Sequence, residues 1–74
     1  MNAGEMSVGE QASVVRVTGD DAISCRLMEM GIVPATELEL IGMAPWGDPL
    51  EFAIRGYRLS LRRAEAARIE IVAK

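Results

Sequence analysis

The sequence predicts a mainly β domain, with five short strands curled into a small, partly open barrel and one α-helix between the first strand and the second. Three observations lead there. Leu50, Phe52 and Ile54 alternate with Glu51, Ala53 and Arg55, and Tyr57, Leu59 and Leu61 alternate with Arg58, Ser60 and Arg62, which is the period-2 pattern of strands with one buried face. Only Gly56 and its neighbours separate these runs, so the chain must reverse tightly and pair antiparallel. The 74 residues leave room for one core only. Curling so short a sheet encloses its aliphatic side and removes exposed edges, while the helix covers one open end.

The elements follow in order. Residues 1–7 carry no period and read as a loose arm at a genuine chain start, with the folded domain spanning 8–74. Val8-Gly9-Glu10 turns into a first strand, Ala12 to Val17, in which the adjacent Val14 and Val15 call for a bulge or two-sided burial. Thr18-Gly19-Asp20-Asp21 ends it and starts a helix, with Asp20 as the expected N-cap and Asp21 in the first turn. Ile23, Leu27 and Met30 form the apolar stripe of that helix. Gly31 stops it in a left-handed conformation, Ile32 packs back on Leu27, and Pro34 prevents resumption. Glu37-Leu38-Glu39-Leu40 is the second strand, with a bulge at Gly42. Pro45-Trp46-Gly47-Asp48-Pro49 lies outside any sheet, because neither proline can donate to a ladder. Strands three and four are the alternating pair above. Residues 62–67 fit one helical or 3₁₀ turn, and Arg68 to Val72 is the fifth strand.

Composition excludes several functions. There is no histidine, and the single Cys25 cannot form an intramolecular disulfide, which points to a reducing compartment. No apolar run approaches the ~20 residues that cross a bilayer, so a soluble, cytoplasmic protein is expected. Without a base to activate Cys25, Ser24 or Ser60, catalysis is not expected, and Cys25 reads as a half-buried, inert thiol. Gly42, Gly47 and Gly56 are too widely spaced for a phosphate loop. The net charge is −3, but it is unevenly spread. Residues 1–51 hold nine acidic groups against Arg16 and Arg26, and residues 52–74 hold six basic groups against Glu65 and Glu70. Overall acidity argues against nucleic acid as partner, although the basic third keeps that reading as the last alternative.

Arg26-Leu27-Met28-Glu29-Met30-Gly31-Ile32-Val33-Pro34, Ala44-Pro45-Trp46-Gly47-Asp48-Pro49-Leu50 and Arg55-Gly56-Tyr57-Arg58-Leu59-Ser60-Leu61-Arg62, followed by Glu65-Ala66, resemble the ferrous iron transport protein A (FeoA) family. The resemblance runs from about Met6 to Val72, with the spacings between blocks also matching. Ala35 departs from it, standing where the family usually has glycine, and Trp46 takes the place of a smaller apolar residue. The resemblance implies an SH3-like barrel in the bacterial cytoplasm, accessory to a membrane ferrous iron transporter (FeoB) that carries a G-protein domain. It also implies kinship with the C-terminal domain of iron-dependent repressors.

On that basis the expected partner-binding residues are Pro45, Trp46, Gly47, Asp48, Arg55, Tyr57, Arg58 and Arg62. Trp46 is either an interface anchor or a lid folded over the barrel. Tyr57 shares the inward register of Leu59 and Leu61, so core packing competes with binding there. Arg55, Arg58, Arg62 and Arg63 form either a basic docking stripe or a solvated face. Met28, Met30 and Ile32 divide in the same way between interface and core. No cofactor and no metal ligand set is expected. Asp20 and Asp21 read as helix capping, and weak divalent-metal binding by Cys25 or carboxylates is the remaining metal route, the basis of an alternative metal-sensing function.

Overall fold

The structure, a computed structural model, describes residues 1–74. Its strands are β1 (Gln11–Val17), β2 (Glu37–Met43), β3 (Leu50–Ile54), β4 (Tyr57–Leu61) and β5 (Ile69–Ala73), with helices α1 (Ala22–Glu29) and α2 (Arg63–Ala66) and a 3₁₀ turn at Ala3–Glu5. All strands pair antiparallel in one sheet of order β4-β3-β2-β1-β5, which curls without closing. The architecture is therefore mainly β with one main helix between β1 and β2. Phe52, Leu40, Leu50, Ile54, Ile69, Leu27 and Ile32 fill the core, all at 1% exposure or less.

Local features of the chain decide most boundaries. Register shifts between Val14 and Arg16 and between Leu40 and Gly42 mark two bulges, and bulges bend a sheet. Arg55 and Gly56 both have positive φ, 46° and 87°, as a two-residue hairpin turn of type I′ requires. At the end of α1, Gly31 has φ 100°. Its N–H donates to the Met28 carbonyl at 3.0 Å, and the Ile32 N–H donates to the Leu27 carbonyl at 3.1 Å. This is a Schellman ending, with Ile32 and Leu27 both fully buried behind it.

Two expectations need correction. Asp21, not Asp20, caps α1: its carboxylate accepts from the Ser24 N–H at 3.2 Å. The ion pair that Asp21 makes with Arg68 at 2.7 Å selects it, because the Thr18 N–H to Arg68 carbonyl bond, at 2.7 Å, brings Arg68 beside the start of the helix. The first residues are also not a loose arm. Ala3, Gly4 and Met6 are buried, and the Ile71 N–H donates to the Met1 carbonyl at 2.9 Å. The segment covers the outer edge of β5, whose backbone groups need partners.

The helices complete the curl. α2 connects the edge strands β4 and β5. Arg26 of α1 pairs with Glu65 of α2, the Tyr57 hydroxyl of β4 donates to the Met30 carbonyl at the C-cap of α1, and Asp21 at its N-cap holds Arg68 beside β5. α1 is thus tied to the start of β4 at its C-cap, to α2 along its length and to the start of β5 at its N-cap.

Candidate functional site

The loop 44–49 joins β2 to β3 and is held at both ends. The Gly47 N–H donates to the Ala44 carbonyl at 2.8 Å, and the Ala44 N–H donates to the Pro49 carbonyl at 3.1 Å. Pro45 occupies the second position of that turn, where its fixed φ is already correct. Trp46 occupies the third position. Gly47 follows at φ 84°, a backbone that a side chain would strain. The Asp48–Pro49 peptide is cis.

α2 pins this loop to the body of the domain. The Arg63 backbone N–H donates to Asp48 Oδ1 at 2.8 Å, and the Arg63 guanidinium donates to the Gly47 carbonyl at 3.0 Å and to the Gly4 carbonyl. Arg62 Nη1 lies 4.0 Å from Asp48 Oδ2. One arginine therefore ties together the loop, α2 and the N-terminal turn. Nothing in the sequence separates Arg63 from Arg62 in this respect, since only the approach of two distant carbonyls and the Asp48 carboxylate selects it.

Trp46 is 93% exposed, so it is not a lid. A large apolar ring left in water forgoes a contribution on the order of 2–3 kcal/mol, and here it is displayed on a rigid mount. Tyr57 also departs from its core register. It is 42% exposed, and its hydroxyl finds the Met30 carbonyl at the helix end, as a half-buried phenol should. Cys25 is exposed rather than half-buried. Of the methionine face, Ile32 is buried, Met30 is half-buried and Met28 is exposed.

The arginines do not form one stripe. Arg63, though exposed, is engaged with the Gly47 and Gly4 carbonyls, and Arg55 sits on the hairpin turn with Nη2 3.4 Å from Thr36 Oγ1. Arg58, on the solvent face of β4, and Arg62, just after the strand, stay exposed, paired loosely with Glu51 at 3.6 Å and Asp48 at 4.0 Å. The eight expected residues thus divide. Pro45, Trp46, Gly47, Asp48 and Arg62 gather at the end of the sheet where β2, β3 and β4 meet the loop. Arg55 and Tyr57 lie at the other end of β4, about 13 Å away at ~3.3 Å per residue, with Arg58 between.

No three His, Cys, Asp or Glu side chains converge as a metal site would require, so the donors present do not fit a preformed transition-metal centre. No helix is long and apolar enough to cross a membrane.

Comparisons with known proteins agree with this architecture. The chain is 39% identical over 71 residues to a Porphyromonas gingivalis Fe(2+) transport protein A/Fe(2+) transporter FeoB fusion protein, covering 96% of this chain and 8% of that protein. The NMR structure of a FeoA-like protein from Clostridium acetobutylicum superposes with TM-score 0.93 at 34% identity, covering 99% of this chain and 85% of that one. Stenotrophomonas maltophilia FeoA, a prokaryotic SH3 domain protein solved with zinc, superposes with TM-score 0.86 at 32% identity, covering 97% and 89%. A manganese-dependent transcriptional repressor shares the fold at TM-score 0.90 over 36% of its chain, with 18% identity. The FeoA domain profile matches residues 1–73, and the chain belongs to the FeoA domain family, with the SH3-like fold of that family.

Proposed function

We propose that this chain is a non-enzymatic regulatory module of a bacterial ferrous iron transport system, docking in the cytoplasm on the G-protein domain of the membrane transporter. The observation that carries the reading is Trp46, fully displayed on a loop that Asp48 and Arg63 hold in place. A pre-ordered aromatic anchor loses little conformational freedom on binding, and Trp is enriched at interface hot spots. The Porphyromonas fusion, which joins a relative of this domain to a transporter, supports the pairing. The interface is modest and reversible, as regulation requires. Metal sensing is the weaker reading: a Stenotrophomonas relative was solved with zinc, but no three His, Cys, Asp or Glu side chains gather in this chain.

Calorimetric titration against the transporter's cytosolic G-protein domain, run in its nucleotide-free, diphosphate and triphosphate states, tests the docking. Binding is expected in at least one state, and Trp46→Ala is expected to weaken it by about thirtyfold, the ~2 kcal/mol of a hot spot. Because the chain has a single Trp, its fluorescence reports the same event. Absence of binding in every state, with transport indifferent to Trp46→Ala, would rule the docking out.

A further inference from the structure

The two edges of the sheet are treated differently. The outer edge of β5 is covered by the N-terminal residues, through the Ile71 N–H to Met1 carbonyl bond and the Asn2–Glu70 bridge. β4, at the other edge, pairs with β3 alone. The two-residue turn at Arg55-Gly56 makes Ile54 and Tyr57 a hydrogen-bonded pair. By alternation Leu59 and Leu61 also face β3, while the N–H and carbonyl groups of Arg58 and Ser60 point outward. Neither residue makes a backbone hydrogen bond elsewhere. Four backbone groups are thus left in a row beside a two-faced strip. On its outer face stand the side chains of Arg58 and Arg62, 77% and 76% exposed. On its inner face Leu59 is only partly buried.

We propose that this β4 edge is the seat of a transporter segment of alternating acidic and apolar residues, bound as an added antiparallel or parallel strand. The proposal rests on the docking reading above and names how the partner is held. Strand addition supplies affinity through main-chain hydrogen bonds and specificity through alternate side chains. Carboxylates on the added strand lie beside Arg58 and Arg62, whose present partners are held at only 3.6 and 4.0 Å. The apolar side chains between them cover Leu59. A second copy of this chain is a poor occupant, since two β4 edges would set Arg58 and Arg62 against their own kind, and like charges across strands repel. The strand ends at Leu61, directly before Arg62, which lies beside Asp48, so the same segment reaches the Trp46 loop.

Amide hydrogen exchange on the complex with the G-protein domain tests this. The Arg58 and Ser60 amides, open in the free chain, should slow at least tenfold when bound. Ser60→Pro removes one outward N–H at a position where an edge strand tolerates proline, and it should weaken binding at least tenfold. Arg58→Glu, which leaves the backbone intact, should do the same and lose the dependence on salt. If the wild-type chain does not bind at all, the docking reading itself falls. If it binds and Trp46→Ala weakens it while the Arg58 and Ser60 amides stay open and Arg58→Glu binds normally, docking stands and the strand addition is wrong. A dimer of the free chain abolished by Ser60→Pro would give the edge to a second copy and overturn the proposal.

Discussion

Asp21 shows how a single side chain comes to serve two elements. The Arg68 guanidinium at 2.7 Å, followed by the Ser24 N–H, holds its carboxyl well below the usual carboxylate range, and the same contact raises Arg68. A depressed folded-state value stabilises the fold above the unfolded-state value of ~4 and loses that contribution as pH falls toward the folded one. Asp21→Asn keeps the cap and removes the charge. Its melting temperature is therefore expected below that of the wild type at neutral pH, with the gap closing under acid below about pH 4. A thermal-melt series against pH reads this directly.

Ala35 is the complementary case. Its φ of 74° lies in the left-handed region, which an L-residue adopts at a cost of roughly 1–2 kcal/mol. A glycine, which the resemblance leads one to expect at this position, would adopt that backbone without the cost. Ala35→Gly is expected to raise stability by up to about 1 kcal/mol, the strain relieved being partly offset by the greater freedom of glycine in the unfolded chain. A denaturation midpoint that fell instead would show that the turn carries no such strain.

At the scale of elements, the loop 44–49 and α2 act as one unit through Arg63. Arg63→Ala removes the guanidinium from the Gly47 and Gly4 carbonyls. It is expected to lower stability by about 1–3 kcal/mol and to speed amide exchange at Gly47 while β3 stays protected. That selectivity distinguishes release of a mount from general unfolding. The same scale shows why some of the fold was legible in advance. The hairpin, both bulges and the Gly31 ending depend on residues within a few positions of each other, and all were found where the pattern placed them. The choice between Asp20 and Asp21 as cap was not legible, because Arg68 decides it from 47 residues away.

For the whole molecule, the N-terminal segment is part of the core and not an appendage. Ala3 is fully buried and Met6 nearly so. Deleting residues 1–6 removes this packing and uncovers the edge of β5. A loss of about 2–4 kcal/mol is expected from two buried side chains and the Ile71 bond, a large part of the ~4–11 kcal/mol that a domain of this length commands. A truncated chain that melted with the full one would refute it. The candidate site was legible only in parts. The two prolines announced a stiff loop around Trp46, but its outward direction and the separation of Arg55 and Tyr57 from it arise from how the sheet curls.

By itself the sequence determined strand number, pairing order along the hairpin, the glycine stop of α1 and an aliphatic core, since period and turn chemistry act over a few residues. Tertiary structure alone decided that Trp46 faces water, that Tyr57 leaves the core for the Met30 carbonyl, that Arg63 binds the Gly47 and Gly4 carbonyls and that one edge of the sheet is covered while the other is open. Each of those outcomes depends on groups far apart in the chain meeting in space, and a local pattern carries no record of such meetings.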